Sequence, residues 1–205
     1  MFRNNQFDTI YQEHYTYFSF VSITRAFRKH GLIVFDVEKI WTHGGSMRVY
    51  ARHKHDHGKP VTKAVTDMLR DETAAGYEEL ATYRQFGEQV KETKRKLLSF
   101  LIEAKRNGAS IAAYGAPGKG NTLLNYCGIR EDFIDYTVDR NPFKHGKYLP
   151  GTRIPIFTPA KLAETKPDYI LILPWNIRDE LLEQLDYARD WGARFIIPIP
   201  EVEVI

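Results

Sequence analysis

The chain has 205 residues, 43% hydrophobic, 27% charged and 13% aromatic, a globular profile rather than a disordered or fibrous one. That length allows one large or two small domains with a core that needs no staples, and the lone cysteine, Cys127, excludes a disulfide framework and any cysteine-built zinc site within the chain. The net charge of +3, with both signs mixed along the chain, is too mild to argue for nucleic acid; no apolar run reaches the ~18–20 residues of a membrane span, MFRNNQFDTI lacks the apolar core of a signal peptide, and a reducing cytoplasm is expected.

The first zone, residues 1–58, opens on a polar stretch followed by an aromatic cluster from Tyr11 to Phe20. Residues 17–30 read as a helix with an apolar stripe of Phe18, Val21, Ile23, Ala26 and Phe27, ended by Gly31. LIVFDVEKIW (32–41) and MRVYARH (47–53) read as two strands of a hairpin joined through THGGS. The second zone, to about Asn107, is helical. A short helix ends at Gly76, and a longer one from Glu78 to Arg106 places Leu80, Tyr83, Phe86, Val90, Leu97, Leu98, Leu101 and Ile102 near one face.

The third zone, 109–205, alternates strands and helices. Strands are expected at SIAAYGA, at 133–139, at 153–157, at 168–173 and at 194–198, with EVEVI as a last edge strand. The helices between them start at Lys119, at Thr158-Pro159 with the threonine as cap, and at Ile177 with Asn176 as cap, the last running to Trp191. This alternation means βαβ units and an open, mainly parallel α/β sheet.

The sharpest local signal is Gly115-Ala116-Pro117-Gly118-Lys119-Gly120-Asn121-Thr122, between a strand and a helix. Free amides and the positive helix end converge on an anion at such a turn, so a phosphate or nucleotide is one reading. A tight βα turn with no ligand is the other, since the spacing is neither GxGxxG nor GxxxxGK[ST]. Asp139 ends the next strand 24 residues after Gly115, where dinucleotide folds keep an acid for the ribose. Lys144, His145 and Lys147 in the following loop either close over an anion or form a solvated basic loop. Trp175 either stacks on a base or sugar or packs beside a helix start.

Two further clusters carry chemistry. Tyr11-Gln12-Glu13-His14-Tyr15 holds the groups for proton abstraction, an imidazole beside a carboxylate and phenols, although a packed aromatic turn with a surface histidine has the same composition. His43-Gly-Gly-Ser46 with Arg48 is either an anion nest or a hairpin turn, and the alternating His53, His55 and His57 are a weak metal candidate with no nearby carboxylates. No metal site is expected.

NNQFDTIYQEHYTYFS, HGLIVFDVEKIWTHGGSMRVYA, AAYGAPGKGNTLLNY and TVDRNPFKHGKYLPGT together resemble the C-terminal half of the sugar C-methyltransferases, in order and over nearly the whole chain. The resemblance implies an enzyme that uses S-adenosylmethionine to methylate a carbon of a nucleotide-linked keto-deoxysugar. It places residues 1–58 in the closing portion of a methyltransferase domain, 59–108 in a helical connector and 109–205 in a Rossmann-like nucleotide-sugar domain. It puts Tyr11, Glu13 and His14 on the family's Tyr-x-Glu-His block, with His14 as the base that removes the proton next to the keto group and Tyr11 and Glu13 positioning substrate or sharing in proton transfer. Gln12 stands where the family usually has a histidine. The nucleotide diphosphate is implied at Gly115, Gly118, Lys119, Gly120, Asn121 and Thr122, with Asp139, Lys144 and Trp175 nearby.

The family's zinc-binding cysteines and its S-adenosylmethionine motif are absent from this sequence. The expectation is therefore a substrate-holding half, inactive alone, whose exposed aromatic surface in residues 1–58 seeks the N-terminal zinc- and donor-binding portion in cis or in trans. A non-enzymatic nucleotide-sugar module and a small nicotinamide-dependent dehydrogenase are the competing readings, the latter disfavoured by the glycine spacing.

Overall fold

The computed structural model describes residues 1–205, leaving out only the side chain of His43, so the part of the anion-nest expectation that rests on that imidazole lies outside the described residues. By packing, residues 14–87 form one compact unit, and residues 1–13 together with 88–205 form another.

The smaller unit is a helix–hairpin–helix arrangement. Helix α1 runs Phe20–Lys29, strand β1 Leu32–Ile40, strand β2 Ser46–His53 and helix α2 Lys63–Ala74. The start of α1 is set by Ser19, whose hydroxyl accepts from the Ser22 amide at 3.1 Å. Phe18 therefore stays outside the helix and exposed, while Phe20 and Thr24, not in the expected stripe, are buried with Val21. Phe20, Val34, Val37, Val65 and Met68 make the core, with Ile23, Phe27, Met47, Val49 and Leu69 packed on it. The hairpin is antiparallel and carries an irregularity between Val34 and Asp36. There the Asp36 carboxylate accepts from the Val37 amide at 2.9 Å and the Thr62 hydroxyl at 2.7 Å, which ties the approach to α2 to β1.

Helix α3, Leu80–Arg106, begins in this unit and continues into the larger one. Its buried stripe, Val90, Thr93, Leu97, Leu101 and Ala104, follows the helical period. Leu80, Tyr83 and Ile102, expected on that face, are exposed.

The larger unit is a Rossmann-like α/β sheet. Its six strands, β3 (Ile111–Tyr114), β4 (Tyr136–Val138), β5 (Ile156–Phe157), β6 (Tyr169–Ile172), β7 (Arg194–Ile197) and β8 (Glu203–Val204), lie in the order β5-β4-β3-β6-β7-β8. All neighbours are parallel except β7 and β8. The near-continuous apolar runs of β3 and β6 are those of strands covered on both faces. Between the strands lie α4 (Gly118–Cys127), α5 (Ala160–Thr165) and α6 (Arg178–Gln184). The order reverses between β3 and β6, and the crevice beyond the carboxyl ends of strands at such a reversal is where open α/β sheets bind ligands.

Three local expectations change. The helix expected over 177–191 breaks after Gln184 into a 3-10 stretch, Asp186–Trp191, which keeps Leu181, Leu185 and Ala188 buried and brings the Trp191 indole to the Pro167 carbonyl at 3.2 Å. Neither Asn176 nor Thr158 caps a helix with its side chain: Asn176 sits in a 3-10 turn, and Pro159 takes the cap position of α5. The opening polar stretch is not a loose lead-in. Two 3-10 turns, Phe2–Asn4 and Phe7–Thr9, fold it onto the larger unit, and Gln6, Phe7 and Asp8 are buried, with Phe7 edge-on to Tyr126 of α4. Among the described residues no helix is long and apolar enough to cross a membrane.

Candidate functional site

The turn from β3 into α4 is built by close approach. Gly115 has φ +87°, and a Cβ there would lie 2.6 Å from Cγ of Pro174 in the turn after β6. A Cβ at Gly120 would lie 3.0 Å from the Leu173 Cβ. These glycines let the two turns that flank the sheet's reversal point touch. Pro117 occupies the cap position of α4 and offers no side-chain acceptor. The first-turn amides of Gly118, Lys119 and Gly120 thus lack both an intrahelical acceptor and a side-chain cap, the condition for binding an anion.

At this helix start lies a cavity of about 340 Å³ lined by Ile10, Tyr11, Gln12, Gly118, Asn121, Thr122, Asn125 and Pro150. Gly118, Asn121, Thr122 and Asn125 share one face of α4. The opposite wall comes from the N-terminal segment: the Tyr11 ring lies over Gly118, and a Cβ there would sit 3.2 Å from Tyr11 Cε2. The Asn121 side-chain Oδ1 is buried with no hydrogen-bond partner, and the Asn125 amide donates to the Asn121 and Pro150 carbonyls at 2.8 and 3.0 Å. The arrangement thus offers oriented amides, an amide side chain and a phenol around a space large enough for part of a nucleotide.

Lys119 flanks this start. Its ammonium lies 4.5 Å from the centroid of the Trp175 ring and donates to Asn176 Oδ1. Burial lowers its pKa, opposed by the charge of Asp8. Trp175 is buried and donates its indole N–H to Asp8 Oδ2 at 2.6 Å. Asp8 has no exposed surface, and burial pushes its carboxyl up to about 6 against the opposing effects of the Trp175 hydrogen bond and the Lys119 charge.

Asp139 and Lys144 meet one another rather than an open space. The Asp139 carboxylate accepts from the Ala116 amide at 2.8 Å, the Asn141 amide at 2.8 Å and the Lys144 ammonium at 2.9 Å. Burial favours the protonated acid, but these bonds outweigh it and hold the pKa below the ordinary carboxylate value. Lys144 also donates to the Ala116 carbonyl at 3.0 Å, and the His145 ring bonds the Asp139 carbonyl at 2.7 Å. The pair therefore braces the glycine-rich turn from behind.

Glu13 and His14 are exposed, and His14 stands edge-on to Tyr17 at 5.9 Å between centroids. Tyr11 and Glu13 belong to the larger unit and His14 is the first residue of the smaller. His53, His55 and His57 are exposed, and no three acidic, histidine or cysteine side chains converge as a metal set among the described residues. Sequence reasoning singles out neither Asp8 nor Asn125, and it reads Asn176 only as a helix cap, not as the acceptor for Lys119. Asp8 gives no signal there beyond being one acid between Phe7 and Ile10.

Residues 41–200 match the family described as the C-methyltransferase C-terminal domain. The whole chain is also 41% identical over 206 residues to the C-methyltransferase NovU of Streptomyces niveus, covering 100% of this chain and 49% of that protein. The chain spans about half the length of the curated relative it matches. The glycine-rich turn and its helix lie inside the family match, and the segment carrying Tyr11, Glu13 and His14 lies inside the longer alignment. The chain belongs to the C-methyltransferase C-terminal domain family.

Proposed function

We propose that this chain is the acceptor-holding half of an S-adenosylmethionine-dependent C-methyltransferase acting on a nucleotide-linked keto-deoxysugar in the cytoplasm. The observation that carries the reading is the cavity at the start of α4, where Tyr11 faces uncapped helix amides across Gly118. Those amides suit a diphosphate. A sugar attached to it would then lie beside the N-terminal segment that carries Tyr11.

The chemistry asked of these residues is enolisation. The neutral His14 imidazole takes the proton from the carbon next to the ketone, the C–H electron pair forms the carbon–carbon double bond of an enolate, and the carbonyl oxygen takes the negative charge. A phenol such as Tyr11 can donate to that oxygen, and Glu13 can orient the imidazole. The enolate carbon is the nucleophile the methylation needs, so the substrate must carry a carbonyl beside the methylated carbon.

The methyl donor does not fit the residues present. The glycine-rich βα turn of the sheet is the one assigned to the acceptor, and Asp139, the acid that would hold a ribose, has its carboxylate engaged by Ala116, Asn141 and Lys144. The donor and the zinc-binding portion are assigned to the half of the enzyme outside this chain. Exposed Tyr15, Phe18 and Trp41 in the smaller unit are apolar surface suited to that partner.

The test is turnover with the complementary half, fused or added, and His14→Ala beside the unmodified protein. Loss of kcat by 100-fold or more with KM within a few-fold is expected for a lost general base. Equal loss in both would contradict the base assignment. Binding of nucleotide sugar by this chain with no methyl transfer under any pairing would instead favour the binding-module reading.

A further inference from the structure

The N-terminal segment sits over the reversal point of the sheet, and one buried ionisable group holds it there. Asp8 lies in the 3-10 turn Phe7–Thr9 with no exposed surface, and its Oδ2 accepts from the buried Trp175 indole at 2.6 Å. Trp175 directly follows Pro174, the residue pressed against Gly115. The bond therefore links the N-terminal segment to the turn after β6, which itself touches the turn after β3. The 3-10 turn is internally braced: the Thr9 hydroxyl donates to the Gln6 carbonyl at 2.7 Å and the Ile10 amide to the Phe7 carbonyl at 3.0 Å. A shift at Asp8 is thus passed on to Tyr11, three residues along.

An apolar side chain would fill this place at lower cost, because a buried carboxylate must be desolvated and only one of its oxygens is well bonded; Oδ1 has no partner of ordinary geometry. A group that is costly and directional fits a role in fixing direction. We infer that Asp8 is a positioning residue: through its hydrogen bond to Trp175 it fixes the N-terminal segment, and with it Tyr11, over the first turn of α4 and so forms the wall of the acceptor cavity. This rests on the reading of that cavity as the substrate site.

The experiment uses the 205-residue chain and three variants, Asp8→Ala, Asp8→Asn and Trp175→Phe. Binding of uridine diphosphate and thymidine diphosphate is followed by calorimetry, the amide signals of Tyr11 and Gly118 by NMR, and folding by urea denaturation. Asp8→Ala and Trp175→Phe are expected to shift both amide signals and to weaken diphosphate binding about ten-fold, the worth of one ordinary to strong hydrogen bond. Asp8→Asn, which keeps an acceptor for the indole, is expected to bind within about three-fold of the parent and leave the amide signals in place. Asp8→Ala and Trp175→Phe variants that fold but leave the Tyr11 and Gly118 signals unmoved would overturn the inference. If Asp8→Ala does not fold, Trp175→Phe decides on the same criteria. A parent chain that binds neither diphosphate would refute the substrate reading, while the amide signals would still decide the positioning role.

Discussion

The edge of the Tyr11 ring lies over Gly118, the first residue of α4, so closely that a Cβ added there would come within 3.2 Å of Tyr11 Cε2 and 3.4 Å of Cζ. Two residues more than a hundred positions apart thereby form facing walls of one cavity, and each explains the other. The tyrosine needs a residue without a side chain beneath it, and the uncapped helix start needs a wall that brings a donor close without blocking its amides.

Gly115 and Gly118 therefore differ in what they forbid. Alanine at Gly115 takes on φ +87° and meets Pro174 Cγ at 2.6 Å. Strain and overlap together are expected to cost about 3 kcal/mol of stability. Gly118 has an ordinary φ, and its alanine variant gains helix propensity while pressing only on the tyrosine ring. It is expected to stay within about 1 kcal/mol of the parent in urea denaturation but to weaken diphosphate binding several-fold. Equal stability losses at the two positions would contradict the assignment.

Glu72 holds the smaller unit together at one point. It is buried, and its two carboxylate oxygens accept from the Phe20 and Val21 amides at 2.9 and 2.8 Å, at the start of α1. A carboxylate on a helix N-terminus is favoured by both hydrogen bonding and the helix dipole. Glu72→Ala leaves those amides to find other acceptors and is expected to destabilise by roughly 2–4 kcal/mol, whereas Glu72→Gln, which keeps one acceptor, loses about half as much. Denaturation followed by circular dichroism measures both, and a neutral alanine variant would remove Glu72 from this role.

Much of this architecture was legible in the sequence because it depends on local pattern. The continuous apolar runs of β3 and β6, the hairpin, and Gly115 between a strand and a helix are signals a few residues long. The parts that were not legible depend on partners far apart in the chain. Asp139 looks like an open acid until Lys144 and the Ala116 and Asn141 amides surround it. Trp175 looks free to stack until Asp8, 167 positions away, accepts a hydrogen bond from its indole N–H. Polar MFRNNQFDT has no period that announces burial, because 3-10 turns this short show none.

Lys119 is predicted to act through charge. Its ammonium is partly desolvated over the Trp175 ring beside the start of α4, where its field adds to that of the helix end. Lys119→Ala is expected to weaken uridine diphosphate binding about ten-fold while changing uridine binding little, and the remaining affinity should depend less steeply on salt. Calorimetry at two ionic strengths measures this, and equal losses for nucleoside and diphosphate would point to packing instead.

Asp8 sets a pH dependence whose direction is opposite to that of most paired carboxylates. Burial raises its folded pKa from 3.8 to about 6, so the folded state holds the proton more tightly than the unfolded chain does. Its contribution to stability is therefore most favourable below pH 4 and is lost as pH rises toward 6, then stays constant. The loss is on the order of 3 kcal/mol at most, taking ~1.4 kcal/mol per pKa unit. Asp8→Asn removes this titration. Because other groups titrate alike in both proteins, the difference between parent and variant isolates Asp8: the variant should gain on the parent by roughly 1–3 kcal/mol between pH 4 and pH 7 and hold that gain above it. Urea denaturation across this range measures the difference, and a gap that stays flat from pH 4 to 7, or widens toward acid, would show that burial does not dominate the titration of Asp8.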